Sequence, residues 1–391
     1  MAATSLYMHI PFCRQRCYYC DFNTYAGMER LIPQYTAALS HEIELVAGKS
    51  GERLPVHTLF FGGGTPSLLQ VSHLENILAT IERNFTLLPG LEASLEANPG
   101  TVTLEYLKDL KKLGINRLSL GMQSANVQEL TLLGRIHDTP EVIQAVKWTR
   151  QAGFDNINLD LIYGLPFQTM EMWQKSVELA LLMNPEHLSL YALTVEEGTP
   201  FYRWSQRGII PMPDDDLAAD FYEWAGERLE KAGFVQYEIS NWARKDREGN
   251  VLACRHNLQY WRTQPYLGFG AGAHGFAGGV RTANVPGIQT YIHLCSTSAV
   301  EQFPVGPAAA EHILIDAMTE MMETMMVGLR MVVEGVSYAG FEQRFHTPLE
   351  VVFGKQIQKL CAQGLLEIVE GRVRLTQHGR LLGNRVFVEF V

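Results

Sequence analysis

From Ser5 to about Ala232 the chain alternates short apolar runs with amphipathic helical stretches. That alternation restricts its fold more than any other feature. Ser5–Ile10 leads to a helical stretch over Leu31–Ala47, Val56–Phe61 to Leu74–Phe85, and Glu92–Ala97 to Leu104–Leu113. Arg117–Met122 leads to Val127–Leu133 and a second helix, Asn156–Tyr163 to Met170–Met183, and His187–Leu193 to Leu217–Ala232. That second helix is expected to open with Thr139 as N-cap and Pro140 as first residue, and to stop at Gly153. Units of this kind pair their strands in parallel with helices outside. Right-handed crossovers then curl the strands into a barrel or an arc of one. Six units fall short of the eight of a closed barrel. The fold class is therefore α/β, with six β/α units in a barrel or an arc of one. Periodicity counts the units; it does not fix strand order or closure.

Beyond the last unit the pattern changes. The stretch from Tyr237 to Pro304 is rich in glycine and aromatics and reads as an irregular segment with a few short strands. A helix is expected from Ala309 to Arg330, on which Met318, Met321, Met322, Met325 and Met326 form one stripe. The stripe is either core packing by a flexible side chain or an adaptable surface for a partner or a flat apolar ligand. Helical stretches at Phe341–Phe345 and Val351–Gln363 precede two strands, Leu365–Val369 and Arg372–Leu375, joined by Glu370-Gly371. Two helices and a two-stranded wing suggest a small winged-helix-like domain. The expected division is 1–236 for the barrel, 237–304 for the connecting segment and 305–391 for the C-terminal domain.

Cys13, Cys17 and Cys20 follow the first strand with the spacing C-x3-C-x2-C. Thiolates this close can converge on a metal centre. Tetrahedral zinc in a structural site wants four protein ligands, and no fourth cysteine lies nearby. A four-iron cluster held by three cysteines leaves one iron open to a small molecule. The residues alone leave three readings: such a cluster, a three-cysteine zinc site, or unliganded thiols. Ligands of parallel α/β folds sit at the C-terminal ends of the strands, and polar words gather there. Gly62-Gly63-Gly64-Thr65-Pro66 ends the second strand, Glu96 the third and Gln123 the fourth, while Asp160 lies within the fifth. Isolated acids in apolar strands are expensive to bury without a partner.

The cysteine spacing, together with Tyr7-Met8-His9-Ile10-Pro11-Phe12 before it and Tyr19-Cys20-Asp21-Phe22 within it, resembles the radical S-adenosylmethionine (SAM) superfamily. Within that superfamily the words look like the oxygen-independent coproporphyrinogen III oxidases and their relatives, the HemW-type haem chaperones. The resemblance covers nearly the whole chain. It implies a six-unit partial barrel, a C-terminal domain of the kind found here, and a [4Fe-4S] cluster on Cys13, Cys17 and Cys20. It also implies SAM held by Tyr7, Tyr19, Gly64, Thr65, Glu96, Gln123, Arg135 and Asp160. The chemistry it carries is one-electron reduction of the SAM sulfonium to a 5′-deoxyadenosyl radical.

Two words separate the relatives. The oxidases carry a fourth cysteine two residues after the third, where this chain has Phe22. They also carry several dozen residues ahead of the motif, against six before Tyr7 here. His256-Asn257-Leu258-Gln259-Tyr260-Trp261 reads H-N-x-x-Y-W, the word associated with haem in the HemW-type family. Neutral imidazole is a good axial ligand for haem iron, and Tyr260 and Trp261 offer flat apolar surface with a polar edge. His256 is thus the candidate ligand. Cys254 could assist only from the same side, and His274 is a weaker candidate. The resemblance favours a chaperone that binds haem and delivers it to an acceptor over an oxidase that decarboxylates coproporphyrinogen III. A different radical SAM enzyme is the third reading.

Composition bears on partners. Lys and Arg number 32 against 42 Asp and Glu, a formal charge of −10, which argues against nucleic acid. No apolar run approaches the roughly 20 residues of a membrane span, and no basic-then-apolar leader is read at the N-terminus. Cys254, Cys295 and Cys361 stand alone, the pattern of a reducing, cytoplasmic compartment. The expected partners are haem and a haem-accepting protein, a respiratory one reached by peripheral contact with membrane proteins. The chain is expected to be a monomer or dimer.

Overall fold

A computed structural model describes residues 3–391 and divides them into two compact units. Of the described residues, the first comprises those up to Arg228 together with Pro265–Ile313, the second Leu229–Gln264 and Leu314–Val391.

In the first unit, strands β1 (Thr4–Ile10), β2 (Pro55–Gly63), β3 (Thr86–Ala97), β4 (Arg117–Gln123), β5 (Ile157–Tyr163) and β6 (His187–Ala192) lie side by side in chain order. Every neighbouring pair is parallel, with Leu6 opposite Leu59, Leu95 opposite Leu118, and Leu120 opposite Leu159. The crossovers are α1 (Ile32–Ala47), α2 (Val71–Asn84), α3 (Leu104–Lys112), the pair α4 (Val127–Leu133) and α5 (Thr139–Gln151), and α6 (Met170–Leu182). After β6 come α7 (Pro200–Gln206), which the periodicity misses, and α8 (Asp215–Lys231). Thr103 caps α3 by accepting the Tyr106 amide, and Thr169 caps α6 by accepting the Met172 amide. At α5 the expected cap is corrected. Asp138 accepts the Glu141 amide while Glu141 reaches back to the Asp138 amide, so Thr139 and Pro140 lie inside the helix.

Along the strands, polar and apolar residues alternate. Leu6, Leu59, Leu95, Leu118, Leu159 and Leu188 are buried, as expected of sheet residues packed under helices. The alternate positions, Ser5, Thr58, Ser94, Arg117, Ser119, Asn158, His187 and Ser189, are equally buried but polar. Several satisfy one another across the sheet: Ser5 Oγ lies 2.5 Å from Thr58 Oγ1, and Asn158 Nδ2 donates to Ser119 Oγ at 2.7 Å. The polar face is thus inside the structure.

The sheet continues past β1. Tyr266–Phe269 pairs parallel to β1, Ser5 opposite Tyr266 and Met8 opposite Phe269. His274–Ala277 and Val280–Asn284 follow antiparallel, and Ala309–Leu314 forms the edge. This corrects the helix expected from Ala309 to Arg330. Its first residues form an exposed strand, and the helix begins only at Ala317, where Asp316 accepts the Thr319 amide. The segment read as irregular also holds two helices, Arg255–Trp261 and Ile288–Thr297.

In the second unit a core of Met325, Leu329, Phe341, Leu349, Phe353, Ile357, Val373 and Phe390 lies between the helices Ala317–Gly328, Tyr338–Phe345 and Leu349–Ala362 and a three-stranded sheet. Glu370 and Gly371 have φ of 50° and 70°, and Val369 lies opposite Arg372. This is the two-residue hairpin turn that requires positive φ at both positions. Met321 and Met325 are buried, Met322 and Met326 pack against the same core, and Met318 is exposed. The methionine stripe is therefore mainly core. Among the described residues no helix is long and apolar enough to cross a membrane.

Candidate cluster and cofactor site

The loop after β1 is tied down by backbone bonds before any side chain is considered. The Gly64 amide donates to Ile10 O at 2.8 Å, the Thr65 amide to Phe12 O at 2.8 Å, and the Tyr25 amide to Pro11 O at 2.7 Å. Phe12–Cys13 pairs parallel with Tyr25–Ala26, so both ends of the cysteine loop are anchored together. Its far side is held at the end of α4, where the Tyr18 amide donates to Leu133 O and Gln15 Nε2 to Gly134 O. Behind it, the Asn23 amide group donates to Ala271 O at 2.9 Å and Pro286 O at 3.0 Å.

Glycines let these segments close up. A Cβ on Gly63, whose φ is +111°, would stand 2.5 Å from the His9 ring, and one on Gly64 would stand 2.7 Å from Phe12 O. Only glycine fits so close an approach.

A cavity of about 420 Å³ opens at the C-terminal ends of the strands. Cys13, Cys17 and Cys20 line it together with Tyr19, Gly64, Thr65, Glu96, Gln123, Arg135 and Asp160. Tyr7 is the one residue of the expected SAM set outside the lining. Its hydroxyl lies 2.9 Å from His9 Nδ1, and His9 Nε2 lies 2.9 Å from Asn23 O. A carbonyl only accepts, so His9 donates through Nε2 and receives the Tyr7 proton at Nδ1. Sequence reading missed other lining residues, among them Ser119, Asn98, Tyr191 and Glu196. Tyr191 and Glu196 could have been found by the strand-end rule, since both fall at or just after the end of β6. Phe22 stands at the rim, 64% exposed.

The carboxylates are held by different means. Glu96 Oε2 accepts the Gly63 amide at 3.1 Å, and burial, then the neighbouring Asp160, push its pKa up to about 7. Asp160 accepts from Ser119 Oγ at 2.9 Å and Asn158 Nδ2 at 2.8 Å. Burial raises its pKa and these bonds oppose the rise. His187 Nδ1, 2.6 Å from Asn158 Oδ1, fixes the orientation of that amide from below. The thiols of Cys13 and Cys20 are both pushed up by burial. Arg135 sits among acceptors, with Nη1 3.5 Å from Cys17 Sγ and Nη2 2.9 Å from Gly121 O. Burial disfavours its charge, but Cys17 and Tyr19 beside it hold its pKa above the usual value. Its Nε is buried with no hydrogen-bond partner among the described residues.

Among the described residues no three His, Cys, Asp or Glu side chains are disposed to hold a single metal ion. Thiolates of an iron–sulfur cluster bind separate irons. Three thiols, an orphaned guanidinium N–H and a glycine-walled turn around one cavity suit a thiolate-held cluster with a polar ligand beside it.

Residues 7–180 match the family model for the radical SAM superfamily, and residues 315–382 the HemN C-terminal domain. The "Heme chaperone HemW" of Bacillus subtilis is 38% identical over 390 residues, covering 99% of each chain. The chain belongs to the HemW family of radical SAM proteins. The HemW protein of Escherichia coli is 34% identical over 400 residues, covering 99% of this chain and 98% of that one. The solved structure of the Escherichia coli coproporphyrinogen III oxidase HemN superposes with a TM-score of 0.82 over 99% of this chain and 90% of its own. At 24% identity that likeness is one of fold. Membership of the superfamily brings with it a [4Fe-4S] cluster and SAM.

The H-N-x-x-Y-W word characteristic of the HemW reading lies in the second unit, on the helix Arg255–Trp261. Helical spacing puts His256 and Tyr260 on one face and Asn257 and Trp261 on the next. His256 is buried, with Nε2 2.9 Å from the Tyr260 hydroxyl. The Arg330 guanidinium lies over the Trp261 ring, 4.5 Å from its centre, and Trp261 Nε1 is buried without a hydrogen-bond partner among the described residues. His274, the weaker candidate, is in the first unit on an exposed strand position.

Proposed function

We propose that the protein is a haem chaperone, which binds haem and passes it to an acceptor protein. The observation that carries this reading is the full-length similarity to proteins named heme chaperone, at 38% identity over 99% of both chains. Phe22 at the cavity rim, where the oxidases carry a cysteine, supports it. Cys13, Cys17 and Cys20 would hold the cluster. Tyr19, Gly64, Thr65, Glu96, Gln123, Arg135 and Asp160 would hold SAM, with Tyr7 acting from behind through His9. A four-iron cluster with one iron free of protein ligands supplies single-electron chemistry to a bound sulfonium.

The chain's own contribution is to place and charge that ligand. The backbone at Gly64 and Thr65 admits its amino-acid end closely. Glu96 and Asp160 would offer carboxylates to its hydroxyl groups and positive charge. His256, Asn257, Tyr260 and Trp261 would hold haem, with His256 the ligand to iron. The compartment is the cytoplasm, and the acceptor is a respiratory haem protein.

The test has two arms. Full-length protein titrated with haem should bind one equivalent, and His256→Ala and Trp261→Ala should weaken binding. The reconstituted protein, given coproporphyrinogen III, SAM and dithionite without oxygen, should leave every carboxyl group in place while an authentic oxidase run in parallel removes two. Loss of two carboxyl groups here would overturn the reading in favour of the oxidase.

A further inference from the structure

Each sulfur of the cysteine motif meets a side-chain hydrogen-bonding group from outside the motif, the three groups coming from three separate parts of the chain, and Cys17 also meets the Tyr19 hydroxyl. Thr65, in the glycine turn after β2, places Oγ1 3.6 Å from Cys13 Sγ. Arg135, just past α4, places Nη1 3.5 Å from Cys17 Sγ. Thr24, four residues beyond Cys20 and itself buried, places Oγ1 3.9 Å from Cys20 Sγ. A thiol and a hydroxyl can each donate. A thiolate bound to iron can only accept, so both threonines become donors once the cysteines are ligands. Arg135 has no choice of direction, because a guanidinium carries donors only. Its other arm donates to Gly121 O at 2.9 Å and faces His137 Nδ1 at 3.4 Å, which aims Nη1 at Cys17.

We infer that Thr24, Thr65 and Arg135 form a donor set, one to each cluster thiolate, that raises the reduction potential of the cluster. This rests on the proposed reading of Cys13, Cys17 and Cys20 as cluster ligands. Reduction adds one electron, and its charge spreads onto the thiolate sulfurs. Hydrogen bonds and a cation at those sulfurs stabilise the reduced state more than the oxidised one. Arg135 brings a full charge and the threonines only dipoles, so Arg135 contributes most. All three are positioning residues, acting on the cluster through its ligands. All three line the cavity, but Thr24, unlike Thr65 and Arg135, is not among the residues expected to hold SAM.

The experiment is a potentiometric titration of the full chain, reconstituted with iron and sulfide and without SAM. Dithionite supplies the electron through mediators, and the reduced cluster is followed by its paramagnetic resonance. Wild type should hold four irons. Thr24→Val and Thr65→Val, which keep shape and remove the hydroxyl, should titrate at more negative potential, and Thr24→Ser should restore the wild-type value. Arg135→Gln should shift furthest, by at least tenfold in the reduction equilibrium, about 59 mV for one electron. Wild-type protein that takes up no four-iron cluster would refute the reading of the cysteines itself. A loaded wild type whose three variants all titrate at its own potential would overturn the inference. Where a variant loses its cluster, recovery by Thr24→Ser, Thr65→Ser or Arg135→Lys supports the donor role. Loss in the conservative variant as well counts against it.

Discussion

The hydroxyl of Tyr291 donates to the carboxylate of Glu42 at 2.6 Å, across 249 positions of chain. Glu42 lies on α1 and is 1% exposed. It also accepts the Gly270 amide at 2.8 Å and Asn284 Nδ2 at 2.7 Å. One buried acid thus joins the first crossover helix to the strands that extend the sheet beyond β1.

This acid makes stability depend on pH. Burial pushes the Glu42 pKa up to about 7, against the three hydrogen bonds that lower it. A carboxyl group whose folded pKa exceeds its unfolded value binds more protons in the folded state between the two values, so stability falls as pH rises through that window. Below pH 4.5 both states are protonated and above about pH 7 both are ionised, so the loss is confined between. A shift of that size is worth about 3 kcal/mol. Urea unfolding at pH 5 and pH 8 should show the difference. Glu42→Gln should remove that step at a pH-independent cost of about 1–3 kcal/mol, because an amide N–H then faces the Asn284 donor. An unchanged pH profile in the variant would refute the assignment.

Two glycines, Gly268 opposite Tyr7 in the sheet and Gly272 against Asn23, should differ in how they fail. A Cβ on Gly268 would overlap the backbone carbonyl of His274, which cannot move without breaking the strand pairing. Gly268→Ala should therefore lower the melting temperature of the whole unit. A Cβ on Gly272 would overlap the side-chain amide of Asn23 instead, at a φ of +74°. That amide can swing away, at the expense of its bonds to Ala271 O and Pro286 O. Gly272→Ala should cost about 1–3 kcal/mol, and its distinctive effect should be weaker iron retention after reconstitution. Iron content per chain and melting temperature, measured together, separate the two.

Glu96 should couple SAM affinity to pH. Its pKa of about 7, raised by burial and then by Asp160, leaves it largely protonated at pH 6. The carboxylate emerges as pH rises through that value, with Arg117 nearby favouring ionisation. A ligand carrying positive charge binds the ionised form, so affinity should rise roughly tenfold from pH 6 to pH 8, with release of a proton at the lower pH. Calorimetry in buffers of different ionisation enthalpy reads both quantities. Glu96→Gln should bind SAM more weakly at pH 8 and flatten the profile.

The barrel was legible because each buried strand carries its own signal. Most place apolar residues at every second position, Val56–Phe61 ending instead in a continuous apolar run, and each crossover helix has a capping residue or an amphipathic stripe. The strand-end residues were legible for the same reason: once a strand is placed, its last polar residue is placed too. What alternation could not convey was which side the polar positions face. In Arg117-Leu118-Ser119-Leu120 and Asn158-Leu159-Asp160-Leu161, period-two alternation is also what a strand with one wetted face would show. Here the polar side is buried and forms the floor beneath the cavity. The pairing of β1 with Tyr266–Phe269 joins segments over 250 residues apart and has no local signature. Ala309–Leu314 carries no strand signal of its own, because alanines favour helix and its side chains are exposed, so only the sheet edge decides it. The Asp316 cap was present in the sequence and would have placed the helix start.

His256 and Tyr260 set up the remaining prediction. An imidazole binds iron through a nitrogen lone pair, and the Tyr260 hydroxyl already lies 2.9 Å from Nε2. If Nε2 is the atom that takes haem iron, binding must first break this contact. Removing the hydroxyl then lowers the cost of binding. A neutral hydrogen bond contributes about 0.5–1.5 kcal/mol net, so Tyr260→Phe should tighten haem binding severalfold, up to about tenfold. His256→Ala should weaken it by more than that, and the double variant should behave as His256→Ala alone, because the tyrosine acts only through the histidine. Haem titrations followed at the Soret band measure all three. Tighter binding by Tyr260→Phe that persists in the double variant would show that the hydroxyl acts on haem directly and that Nε2 is not the ligand.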